Sequence, residues 1–190
     1  IVRSAGSGRP GTDGEAVILS RAGTGLITSL HVNKGVVKIS DGAEVTTLFA
    51  YGNARDTRVT VGETVTMATA HINGAQALIE SALTTLNLYG AFAVTHTKGA
   101  ITTWNQYGTG TGYWMGTDGS TLATVNMWNG TLDLSKYARR RTITATTVRG
   151  GTMIITAGDH HITFTAAPQV YGSGRIVYPD GSTVVVAAVT

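Results

Sequence analysis

The sequence predicts an all-β chain, a β-solenoid (parallel β-helix) of about seven coils of ~19 residues each. Three observations predict it: a copied heptapeptide, a row of nearly evenly spaced glycines, and a short alternating strand after each glycine.

The heptapeptide comes first. Residues 46–52 read TTLFAYG, residues 84–90 read TTLNLYG, and residues 102–108 read TTWNQYG. Weaker copies are TSLHVNKG at 28–35, TAHING at 69–74, TVNMWNG at 124–130 and TTVRGG at 146–151. The first glycine of each copy falls at Gly35, Gly52, Gly74, Gly90, Gly108, Gly130 and Gly150. VVKI follows Gly35, AFAV follows Gly90, TLDL follows Gly130 and TMII follows Gly151. The unit is therefore a strand, a glycine corner and a second strand, with a polar connection to the next unit. Thr, Val and Ile favour strands, and these windows carry no helical period. Glycine at the corner permits positive φ or close approach of neighbouring coils. A unit this short cannot bury its apolar face alone. Stacked at about 4.8 Å per coil, the units share one core and make a rod of roughly 35 Å. A sandwich of short antiparallel strands is the alternative, but it does not require copied sequence.

The ends differ from the middle. Residues 1–26 are expected to be a Gly-rich arm with an initial strand, residues 27–156 the solenoid, and residues 157–190 a β cap. Asp180-Gly181 suggests a hairpin that closes the stack.

Composition agrees with a compact β chain. Charged residues make up 13% of the 190 residues and glycine contributes 25, which argues against disorder and against a helical bundle. The formal charge of +3 is too small to imply a nucleic-acid partner. There is no cysteine, so disulfide stapling is excluded. No run of 18 apolar residues exists to span a membrane as a helix. The first residues lack a signal-peptide pattern, and a start at Ile1 suggests a processed chain or a fragment.

Chemistry-bearing residues are few. No two acids share a repeat column in adjacent coils, as a glycosidase pair would need. Asp41, Asp118 and Asp180 each precede glycine, which suits turns. His31 and His71 share a column two coils apart, too distant for one metal. Asp159-His160-His161 is the densest ligand cluster, yet adjacent strand residues diverge. No metal, no cofactor and no catalysis are expected. The string GTGTG at 108–112 lacks the following helix that a phosphate loop requires.

Two groups stand out as contact residues. Tyr51, Tyr89 and Tyr107 precede corner glycines, with Trp128 near the same place, as a stacked ladder would have them. Trp104, Tyr107, Tyr113 and Trp114 gather around the glycine string and form an expected aromatic face for sugar or protein. The basic run Arg139, Arg140 and Arg141, with Arg3 and Arg9 of the arm, is expected to contact an acidic partner surface.

TTLNLYG, followed further on by TLDLSKYARRRTIT, resembles the repeat grammar of Gly/Thr-rich β-solenoid virion proteins of tailed phages. The resemblance covers roughly residues 27–156. It implies a capsid decoration, cement or spike-like component on the particle surface, docked to a major capsid protein or fibre, and often a homotrimer. It specifies no functional residues. A carbohydrate-binding or carbohydrate-degrading β-helix and a bacterial surface adhesin fragment are the competing readings.

Overall fold

The computed structural model describes residues 15–18, 26–53, 55–90, 94–96, 99–137, 139–156 and 162–181. All regular structure among them is strand, in two parallel sheets. Sheet A takes β1 (Glu15–Ile18), β3 (Gly35–Ile39), β5 (Thr57–Val61), β7 (Gln76–Ile79), β9 (Val94–His96), β11 (Thr111–Trp114), β13 (Thr131–Asp133), β15 (Thr152–Ile154) and β18 (Arg175–Val177). Sheet B takes β2 (Ile27–Val32), β4 (Glu44–Tyr51), β6 (Thr66–Asn73), β8 (Leu83–Leu88), β10 (Ile101–Gln106), β12 (Thr121–Met127), β14 (Arg141–Val148) and β16 (Ile162–Phe164), with β17 (Gln169–Val170) also on β14. The chain alternates between the sheets until β16. Each strand pairs with its counterpart one coil away, in parallel. This is the predicted solenoid.

Register follows the copied sequence. Leu30, Leu48, Ala70, Leu86, Trp104 and Val125 stand opposite one another in successive coils, and all six are buried. The next inward column holds Val32, Ala50, Ile72, Leu88, Gln106, Met127 and Val148. The seventh repeat is slipped relative to its sequence match. TTV at 146–148 lines up as a copy of TTL at 46–48, yet Thr146 lies opposite Val125, and Val148 lies opposite Met127. A slip of two residues keeps the alternation, so Val148 still points inward and is fully buried.

Two glycine positions explain how a coil turns. Gly130 has φ of 73°, a left-handed conformation that a side chain would strain. Gly90 lies against the corner of the coil below: a Cβ there would come within 2.0 Å of the Gly74 backbone nitrogen. One corner thus needs glycine for its dihedral and the other for close approach.

The solenoid outruns its expected boundaries at both ends. β1, placed in the arm by sequence, pairs in parallel with β3. In the segment expected as a separate cap, β16, β17 and β18 pair in parallel with β14 and β15. Ile162 and Ile176 are buried there, so these strands extend the same core without the Thr-Thr lead. At Asp180-Gly181 the Gly181 N–H donates to the Tyr178 carbonyl at 2.9 Å. The expected hairpin's second strand lies outside the described residues, as do residues 1–14 with Arg3 and Arg9, and Asp159-His160-His161.

Candidate functional site

The outward face of sheet B carries three side-chain columns, because alternation sends every second residue away from the core. Thr47, Thr69, Thr85, Thr103 and Thr124 align as the first column. The second begins with rings and continues with amides. His31 stacks on Phe49 at 4.6 Å, and Phe49 stacks on His71 at 4.7 Å. Asn87 lies opposite His71 with its Nδ2 3.5 Å from the ring Nδ1. Asn105 then donates to Asn87 Oδ1 at 2.9 Å, and Asn126 donates to Asn105 Oδ1 at 3.0 Å. The amides thus form a directed ladder along the solenoid axis.

The third column is aromatic. Tyr89 and Tyr107 stack at 5.1 Å, and Tyr107 and Trp128 at 4.4 Å. The Arg149 guanidinium lies 5.5 Å from the Trp128 ring and 6.0 Å from Tyr171, extending the stack by cation–π contacts. Tyr89, Tyr107, Trp128 and Tyr171 are between 38% and 51% exposed, so the column is a surface ridge. Both ring faces of Tyr107 are covered by its neighbours, which leaves ring edges and the hydroxyl facing solvent.

Burial holds the His71 imidazole below its usual pKa. Burial likewise raises the Tyr89 phenol, with Tyr107 and Tyr51 adding to the effect. Both groups are thereby held in their neutral forms near neutral pH. The strands of this face contribute no carboxylate to the three columns among the described residues, so the face is one of hydroxyls, amides and rings with the Arg149 guanidinium as its cation.

The residues expected as one aromatic face are split by the fold. Tyr107 is on the ridge. Trp104 and Trp114 are fully buried, which corrects their expected exposure. Trp104 occupies the Leu86 column, and its ring has room because Gly112 lies against it: a Cβ on Gly112 would stand 2.3 Å from Trp104 Cζ2. Its indole N–H donates to Gln106 Oε1 at 3.2 Å. Gln106 donates in turn to the carbonyls of Gly110 and Thr131 at 2.8 and 3.0 Å, fixing the GTGTG corner. Tyr113 lies on sheet A with the Lys136 ammonium 4.4 Å from its ring centroid.

The arginine run is also split. Arg141 is 1% exposed, so it cannot form the expected partner surface. Its guanidinium donates to the carbonyls of Trp114, Met115, Leu134 and Tyr137. Burial holds its pKa down to about 10, with Arg139 acting in the same direction and Asp133 opposing. Arg139 has an exposed side chain, and it donates to the Gly116 carbonyl at 3.0 Å. The Arg140 backbone N–H donates to Asp118 Oδ1 at 2.8 Å. The run therefore clasps residues 114–118 of the preceding coil, and Arg140 carries the exposed charge beside Arg139.

Asp41, Asp118 and Asp180 sit in turns before glycine. Asp41 accepts from the Thr64 N–H at 2.9 Å and from the Thr64 hydroxyl at 3.2 Å. The backbone donor of Thr64, above all, holds the Asp41 carboxyl below its usual pKa. No group of three or more His, Asp or Glu side chains converges as a metal site among the described residues.

The amide column and the Arg149–Tyr171 extension were not anticipated. The signal for the amide column was present: TTLNLYG, TTWNQYG and TVNMWNG all carry Asn two positions before the third-column aromatic residue. No family model matches the chain, and no curated protein or solved structure is detectably similar to it.

Proposed function

We propose that this chain is a non-enzymatic structural protein, a virion component of the tailed-phage type, that docks to other protein subunits through the outward face of sheet B. The observation that carries the reading is the ridge Tyr89–Tyr107–Trp128–Arg149–Tyr171 beside the amide ladder. It repeats coil by coil and has no single focus, so it suits an extended, rigid partner surface. Aromatic and Arg side chains are enriched where proteins meet. The repeat grammar supports the virion setting, at the particle surface, with copies of this chain among the partners.

The ridge is less suited to carbohydrate. Sugar recognition by aromatic residues uses open ring faces, whereas Tyr107 is stacked on both sides. The test is the protein inventory of purified particles from the phage that encodes the sequence. The chain is expected there at fixed stoichiometry to the capsid or fibre subunit. Particles that lack it would overturn the virion assignment.

A further inference from the structure

Asparagine precedes glycine twice in the chain, at Asn73-Gly74 and at Asn129-Gly130. In such a pair the glycine nitrogen can attack the side-chain amide before it, because glycine has no Cβ to obstruct the approach. Both pairs sit at solenoid corners, and the fold treats them differently.

Asn73 is the last residue of β6 and stands opposite Tyr51 in the neighbouring coil. Its carbonyl accepts the Gly52 N–H at 3.0 Å, which fixes the peptide in extended geometry. Gly74 is buried, and a Cβ on Gly90 would stand 2.0 Å from its nitrogen. Asn129 lies outside any strand, between β12 and β13, with an exposed side chain. Gly130 is half-buried, and its N–H donates to Asn129 Oδ1 at 2.8 Å. The amide carbon Cγ is bonded to that oxygen. The attacking nitrogen is therefore already held against its target, the arrangement that raises an intramolecular rate.

We propose that Asn129 is a site of self-modification, converted by the Gly130 nitrogen to a carboxylate while Asn73 is spared. Hydroxide removes the Gly130 N–H proton, and the nitrogen attacks Asn129 Cγ. The N–Cγ bond forms, the Cγ–Nδ2 bond breaks, and Nδ2 takes a proton from water and leaves as ammonia. One water molecule then opens the succinimide. Opening at Cγ gives aspartate at position 129, and opening at the backbone carbonyl gives isoaspartate. Either product lowers the net charge of the chain by one. The new carboxylate stands one residue from Trp128, whose ring has the Arg149 guanidinium 5.5 Å away. Isoaspartate also adds a methylene to the backbone at a tight corner, where a Cβ on Gly151 would stand 2.4 Å from the Gly130 carbonyl oxygen. This modification needs no partner and does not depend on the docking role of sheet B.

The test is incubation of the folded full chain at mildly alkaline pH, followed over time by ion-exchange chromatography and peptide mass spectrometry. An acidic species should accumulate, faster as pH rises, with the exchange of amide for carboxylate mapped to position 129. Asn129 should convert about tenfold or more faster than Asn73, a barrier difference of about 1.4 kcal/mol. In urea the two rates should converge, since the fold alone separates them. Asn129→Ser should remove the acidic species. An Asn129 that stays unconverted in the folded chain overturns the proposal. Equal rates at the two asparagines in the folded chain, or an acidic species that persists in Asn129→Ser, overturn it as well.

Discussion

Asn105 donates through Nδ2 to Asn87 Oδ1 at 2.9 Å, one coil away along sheet B. The same residue accepts from Asn126 at 3.0 Å, so it is the middle rung of a directed chain. Replacing it with Ala removes two hydrogen bonds and leaves an Asn126 donor and an Asn87 acceptor unmatched. Asn87 is 7% exposed, so water replaces its partner poorly. Asn105→Ala should cost about 1–3 kcal/mol in a urea titration. A value within experimental error of native would show that the ladder contributes nothing to stability.

Leu86 tests the register of the core. It is fully buried, between Ala70 and Trp104 in adjacent coils. Leu86→Ala should destabilise by about 2–5 kcal/mol through lost burial and the cavity left behind. Chemical denaturation measures this directly, and a loss below about 0.5 kcal/mol, the range of surface changes, would place the column outside the core.

Arg141 should not tolerate its closest chemical relative. Lysine keeps the charge but lacks the planar fork that reaches carbonyls on both the 114–115 and the 134–137 segments. Arg141→Lys should cost about 2–4 kcal/mol, from a buried charge with fewer partners. Arg140→Lys, at an exposed position, should change stability by less than about 0.5 kcal/mol. Equal effects in an unfolding titration would contradict the split of the arginine run.

His71 predicts an acid sensitivity with a definite sign. Burial lowers its folded pKa beneath the ordinary histidine value of about 6.5. The folded state thus favours the neutral ring, and the unfolded state binds the proton first. Stability from this group is present above pH 6.5 and is lost as pH falls through the lowered folded value. His71→Phe keeps the stack with Phe49 and removes the titration. Its melting temperature should therefore fall less between neutral and mildly acidic pH than that of native protein. Parallel pH profiles for the two proteins would show that His71 is not the titrating group.

The fold was legible because every coil must present its neighbour with the same register. That requirement wrote TTLFAYG, TTLNLYG and TTWNQYG into the chain and put glycine at the corners. The copied positions also located the Leu48–Leu86–Val125 column. What escaped sequence reading depends on contacts that the repeat does not encode. Trp104 sits inside only because Gly112 makes room for it from the facing sheet. Arg141 points inward because carbonyls of Trp114 and Leu134 are waiting there, at separations that share no repeat position. The amide ladder was obscured for a different reason: Phe49 and His71 occupy the same column in the other coils, so the shared chemistry changes halfway along. The parallel strands beyond residue 156 lack the Thr-Thr lead altogether, and only their pairing with β14 and β15 reveals them.

The claim that the outward face of sheet B is the docking surface is tested most directly by hydroxyl-radical footprinting of the free chain against the assembled particle. Tyr89, Tyr107, Trp128 and Tyr171 should each lose most of their reactivity on assembly. Tyr113, on sheet A beneath Lys136, should keep its reactivity. Unchanged labelling of the ridge in particles that contain the chain, with protection appearing at Tyr113 instead, would contradict the account.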